Sequence, residues 1–187
     1  MTEAKAGQRA VFFVDAAHFV LGAYLGFVWC FERLFVKSGA GRQRFNVLGA
    51  LNAVTHKLIT VTNETYINAQ SVCELLDRLA LLGLSIPITL VLDNARYQKC
   101  ALVFEKAKAL NIELLYLPPY SPNLNLIERL WKFVKKQCLY SIYYPDFQQF
   151  KVAISDCLTQ CHTTHKPALD SLLSLKFQSF KNVKSMD

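Results

Sequence analysis

Residues 117–137, LPPYSPNLNLIERLWKFVKKQ, decide how the rest of the chain is read. Pro118, Pro119 and Pro122 fix their own φ and push each preceding residue toward extended backbone, so 117–121 is expected to be non-helical. From Leu124 the pattern changes. Leu124, Ile127, Leu130, Trp131, Val134 and Cys138 recur at helical spacing and form one apolar stripe. Arg129, Lys132, Lys135 and Lys136 lie mostly off it. Glu128 stands at the stripe's margin, on a rigid helix close to the core and beside cations. Two readings of Glu128 are open here. It is either a ligand-bearing carboxylate or a helix-start residue, because Asn125 and Glu128 fit a capping pattern.

The chain has 187 residues, of which 52% are apolar and 19% charged. That is enough to build one domain with a sizeable core, and it excludes a disordered chain. We expect a single domain over 1–187, with a core at about 9–140 and C-terminal helices at about 146–175. Twenty-one Lys+Arg against 14 Asp+Glu leave a net charge of +7, which favours a polyanionic partner. The six cysteines fall largely within apolar, periodic segments and the first eight residues are polar, so a reducing, cytoplasmic setting is expected. The run 19–31 is apolar but too short to span a bilayer. Cys157, Cys161, His162 and His165 match no common zinc spacing and read better as a helix face followed by a loop.

Taken in order, 10–14 (AVFFV) reads as a short buried strand ending at Asp15. Gly22, Gly26 and alternating aromatics through Phe31 suggest a second strand, paired as a hairpin. The basic, glycine-rich 37–44 is a loop that matches no phosphate-binding pattern. A third strand and further pairing are expected over 45–54 and 58–61. Residues 71–82 are expected to form a helix with Val72, Leu75, Leu76, Leu79 and Leu82 inward, ended by Gly83. The run 86–92 is a strand ending at Asp93, 97–110 a helix and 112–117 a strand. A helix over 146–162 turns Phe147, Phe150, Val152, Ile154 and Leu158 inward. Lys166–Pro167 breaks it, and 169–175 forms a short closing helix. Early antiparallel strands followed by β-α-β units imply a mixed α/β sheet with helices on both faces.

Asp15 and Asp93 share one local grammar, an apolar strand that ends in an acid. Two such strands side by side bring both carboxylates to one sheet edge, where ligands gather in open α/β sheets. Glu128 can complete the cluster. Three carboxylates in one place repel each other unless divalent cations neutralise them. Hard oxygen donors suit Mg²⁺ or Mn²⁺, and two such ions can activate water and stabilise a leaving oxygen in phosphodiester cleavage.

The segments VDAAHF, LVLDNARYQ and LPPYSPNLNLIERLWKFVKK resemble the DDE transposase domain of the bacterial insertion-sequence branch of the mariner-like superfamily. The resemblance covers roughly 11–137, and the block from Pro118 to Trp131 is its most specific part. Thirty-four residues stand between Asp93 and Glu128, the interval typical of that branch. The resemblance implies a ribonuclease H-like fold with a five-stranded mixed sheet flanked by helices. It also implies a catalytic and metal-holding triad of Asp15, Asp93 and Glu128, and makes ligation the primary reading of Glu128. The activity implied is two-metal cleavage of double-stranded DNA at element ends, followed by attack of the freed 3′-hydroxyl on target DNA. Asn94 is then expected to orient Asp93 or meet a phosphate, unless it is a plain turn residue, and His18 is a further candidate beside the site. Arg96, Lys99, Arg129, Lys132, Lys135 and Lys136 flank the acids and are candidate phosphate contacts, against the alternative of a solvated face. Tyr120 and Trp131 are candidates for base stacking, with Trp131 better read as core.

Transposases of this kind carry N-terminal helix-turn-helix modules, and the first strand here begins too early to accommodate one. A catalytic half is therefore expected, served by a separate or upstream-encoded end-reading module and self-associating as a homodimer. The competing readings are a non-catalytic DNA-binding or assembly remnant, and a different ribonuclease H-like nuclease.

Overall fold

The computed structural model describes residues 1–22, 31, 42–119 and 121–175. In chain order its first elements are α1 (Thr2–Lys5), β1 (Ala10–Val20), β2 (Arg44–Asn52), β3 (Leu58–Asn63) and α2 (Ala69–Ala80). Then come β4 (Ile88–Leu92), α3 (Ala101–Ala109), β5 (Ile112–Tyr116) and a short 3₁₀ turn, Pro122–Leu124. The chain continues through α4 (Ile127–Cys138), α5 (Phe147–Thr159), a second 3₁₀ turn (Gln160–His162) and α6 (Lys166–Leu172). The expected strand over 22–31 and most of the expected loop over 37–44 lie outside the described residues.

The sheet order is β3-β2-β1-β4-β5. β1, β2 and β3 are antiparallel neighbours, whereas β4 and β5 run parallel to β1. A short connection makes the β2–β3 hairpin, while α2 and α3 supply the crossovers that parallel pairing requires. Strand alternation then sorts the core into two layers. Phe12, Val14, Leu48, Leu90 and Leu92 pack toward α2 and α3. Val11, Phe13, Phe19, Val47, Leu51 and Val91 pack toward α4 and α5. This is the mixed, helix-flanked sheet expected from the sequence.

Several boundaries differ from expectation, each for a local reason. β1 does not stop at Asp15 but continues five residues further, because β2 pairs with it as far as Val20↔Arg44. Residues 96–98 form a turn and 99–100 a bend, so the helix expected from 97 begins at Ala101. The capping pair Asn125 and Glu128 does not form: the N-cap of α4 is Leu126 with no side-chain cap. Lys166–Pro167 opens α6 instead of breaking a helix, since proline suits the first turn, where its missing N–H has no partner to lose. Val152 is exposed, one step off the buried face of Phe150, Ile154 and Leu158. Cys157 and Cys161 are buried in the layer that includes Cys138, while His162 Nε2 accepts from the Leu58 N–H and His165 meets the Phe133 ring edge-on. Among the described residues no helix is long and apolar enough to cross a membrane.

Gly49 is the tightest point of the sheet. It lies opposite Asp15 in the β1–β2 ladder. A Cβ there would stand 2.8 Å from the Trp131 ring and 2.9 Å from Ile127 Cδ1. The bare backbone thus admits the indole of α4 against the sheet, a close approach that explains a glycine inside a strand. Gly49→Ala is expected to lower unfolding stability by about 1–3 kcal/mol, measured by urea denaturation, because neither neighbour is a flexible surface group.

Candidate functional site

The acids meet because β1 is longer than β4. Their parallel pairing ends at Phe13↔Val91, and β4 itself ends at Leu92. Asp15 therefore stands two residues past the last pair, at the carboxyl end of β4, and Asp93 is the next residue after that strand. Asp15 is not a strand-end residue but an inner one on an overhanging strand. Glu128 comes from the first turn of α4. All three line one cavity of about 420 Å³, with Asn94, Ala95, Leu117, Ser121 and Asn125 among its other walls.

Each acid is held differently. Asp15 Oδ2 accepts from the Trp131 indole N–H at 3.0 Å. Asp93 Oδ1 accepts from the Ala95 backbone N–H at 2.9 Å, which folds the turn after β4. The turn is also tied to the proline-rich segment: Leu117 N–H donates to the Leu92 carbonyl at 2.8 Å, and Asn94 Nδ2 donates to the Leu117 carbonyl at 2.6 Å. Asn94 thus joins the second and third acid motifs through the backbone. No side-chain bond from it to Asp93 forms.

Burial and like charge act together on Asp15. Burial first, then Glu128 and Asp93, push the Asp15 carboxyl up to about 7, against the lowering influence of the Ala16 N–H and the Trp131 indole. Burial, with Asp93 and then Asp15 adding, also pushes the nearby Tyr97 hydroxyl up to about 12. Among the described residues no three His, Cys, Asp or Glu side chains are gathered tightly enough to enclose an ion as they stand. The acids surround the cavity without converging on one point. Their chemistry nonetheless suits a hard divalent cation: oxygen donors only, an excess of negative charge, and a carboxyl whose ionisation awaits a counter-charge.

The other candidates divide. His18 is not at the site. It is three residues from Asp15 and so faces the opposite side of β1, where Nδ1 hydrogen-bonds Asn46 Oδ1 at 2.7 Å. Arg129 caps the end of α6, donating to the carbonyls of Leu172 and Ser174 at 3.3 and 2.7 Å. Lys99 sits over the Tyr116 ring, 5.3 Å from its centroid. Arg96, Lys132 and Lys136 are exposed, and Lys135 is half-buried. Trp131 is 3% exposed, which leaves no ring face for a base. Tyr120 lies outside the described residues. Sequence reasoning missed Gly49 and the indole bond to Asp15. The signal was present in a glycine within FNVLGALN and in a tryptophan on an apolar stripe, whose N–H needs a buried acceptor.

The family model for DDE superfamily endonucleases matches residues 10–151. No curated protein matches the chain by sequence. Among solved structures, a Mos1 mariner paired-end complex with Mn is 13% identical, covers 84% of this chain and 55% of its own, and gives a TM-score of 0.56. A pre-cleavage Mos1 transpososome is 12% identical, with 91% and 57% coverage and a TM-score of 0.57. The catalytic core domain of BIV integrase is 15% identical, with 84% coverage of both chains and a TM-score of 0.53. The chain spans little more than half the length of the Mos1 chains it matches, and at these identities the likeness is one of fold.

The raised Asp15 carboxyl has a consequence for stability. Folded, it keeps its proton up to about 7; unfolded, it releases it near the ordinary value of 3.8. Its contribution is therefore fully present below about pH 4 and is lost as pH rises toward 7. Asp15→Asn is expected to stabilise the metal-free protein at pH 8 by roughly 1–4 kcal/mol, and not at pH 3.5. Denaturant unfolding with chelator at both pH values measures this. Equal stability of the two proteins at pH 8 would contradict the electrostatic picture.

Proposed function

Because the chain belongs to the DDE superfamily endonucleases, we propose that it is the catalytic portion of a transposase, cutting DNA phosphodiester bonds at element ends and joining the freed 3′-hydroxyl to target DNA. The observation that carries this reading is the shared cavity of Asp15, Asp93 and Glu128, reached from three separate elements. The interval between Asp93 and Glu128 supports placement in the bacterial insertion-sequence branch. Paired-end, strand-transfer and pre-cleavage assemblies of Mos1, described with Mn or Mg in two cases, support DNA as substrate and a divalent cation as cofactor.

In this reading Asp15, Asp93 and Glu128 hold two divalent cations, which supply activation of water and stabilisation of the leaving oxygen. Asp15, on which both Glu128 and Asp93 act, would be a principal ligand together with Asp93. Trp131 holds one of the Asp15 oxygens. The Ala95 N–H does the same for Asp93. Glu128 is presented by the first turn of a helix whose far side is buried from Ile127 to Cys138, so its backbone does not yield. Arg96, Lys132, Lys135 and Lys136 contact phosphates, which position the duplex without reading its sequence.

Purified protein is expected to nick duplex DNA only with Mg²⁺ or Mn²⁺, and Asp15→Ala, Asp93→Ala and Glu128→Ala are each expected to lower the rate at least about 100-fold. Cleavage by any purified triad variant at the wild-type rate refutes the assignment. Metal-independent DNA binding without cleavage points to an assembly remnant, and preference for RNA–DNA hybrid points to a ribonuclease H. A separate outcome concerns charge. Lys132→Gln with Lys136→Gln should weaken binding to all duplex sequences alike and reduce the slope of log affinity against log salt by about 2.

A further inference from the structure

Asn125 is the unexplained residue of the cavity. It is 4% exposed, yet it lines the same space as the three acids. Its Nδ2 donates to the Val14 carbonyl at 3.2 Å, the residue before Asp15. That bond sets which way the amide faces, since only the nitrogen can donate. Its Oδ1 is then turned elsewhere, and it is buried with no hydrogen-bond partner. An orphaned buried carbonyl costs about 1–3 kcal/mol. Buried polar groups are nearly always satisfied, and an exception next to an acidic cavity calls for a missing donor.

Among the described residues the neighbours do not provide one. Asp15, Asp93 and Glu128 are acceptors when ionised, Asn94 Nδ2 is committed to Leu117, and the Ala95 N–H to Asp93. The missing donor must come with what fills the cavity. Mg²⁺ and Mn²⁺ sites of this kind retain several waters, and each such water needs an acceptor. A neutral amide oxygen serves this purpose without adding a fourth negative charge to three that already repel.

We propose that Asn125 Oδ1 is the neutral acceptor of the cation site, receiving a hydrogen bond from a water in the hydration shell of the divalent ion. Its Nδ2 at the same time ties the approach to α4 onto β1 between Val14 and Asp15. This inference rests on the metal-dependent reading above and adds a positioning residue to it. It assigns to one side chain both the mechanical link between the first and third acids and an outer contact to the ion.

The test is Mn²⁺ binding to the purified protein by titration calorimetry, with unfolding stability recorded in chelator. Asn125→Ala is expected to weaken Mn²⁺ about 10- to 100-fold, the range seen when second-layer partners of metal ligands are removed. Asn125→Asp keeps the oxygen and loses the N–H. It is expected to bind Mn²⁺ at least as tightly as the wild type while being less stable without metal. A purely structural Asn125 gives a different pattern: wild-type Mn²⁺ affinity in folded Asn125→Ala, or affinity in folded Asn125→Asp as weak as in the alanine variant. Either result overturns the proposal. If Asn125→Ala does not fold, folded Asn125→Asp binding Mn²⁺ about 10-fold or more weaker than the wild type overturns the proposal. Asp15→Asn is the control. Unchanged Mn²⁺ binding there removes the metal-dependent reading itself, whereas loss there with no effect at Asn125 removes only this inference.

Discussion

Asp15 is a carboxylate built into a wall that would otherwise be apolar, with one indole N–H as its side-chain partner. Much of the surrounding architecture follows from keeping that arrangement intact. The indole reaches Asp15 only because Gly49, directly across the ladder, has no side chain. Trp131 in turn lies three residues along α4 from Glu128, nearly one helical turn, so seating the tryptophan also sets the third acid. The sheet contributes the rest, since β1 overhangs β4 and leaves Asp15 beside Asp93. A strand overhang, a missing Cβ and a helical repeat together put three like charges around one cavity. Their repulsion is the reason the cavity wants a cation.

Much of this was legible from residue types and spacing. The apolar stripe of α4 is buried as expected from Ile127 to Cys138, and the runs before Asp15 and Asp93 are neighbouring strands. The two-layer α/β arrangement followed from the order of strands and helices. What failed was mostly of one kind, namely features decided by a distant partner. β1 extends past Asp15 because β2 pairs with it, and nothing within VFFVDAAHFV announces a neighbour about thirty residues away. Arg129 read only as a candidate phosphate contact, and its bonds to the end of α6, at Leu172 and Ser174, had no signal in its own stretch of sequence.

Asn125 and His18 illustrate a different limit. A local pattern proposed a capping pair for Asn125, and the sequence was consistent with it. The helix instead starts one residue later, at an N-cap of Leu126, and the Asn125 amide turns its nitrogen to the Val14 carbonyl of β1, so its oxygen caps nothing. His18 failed on parity alone. Proximity in sequence to Asp15 suggested the site, but an odd interval along a strand turns a side chain to the other face.

Arg129 follows Glu128 directly, and its guanidinium grips the carboxyl-terminal carbonyls of the last described helix. Two adjacent residues of one helical turn thus serve different sides, one the acidic chamber and one the tail of the fold. The same helical turn that carries the third carboxylate is therefore also moored to the end of α6, so the chamber and the tail of the fold share one anchor.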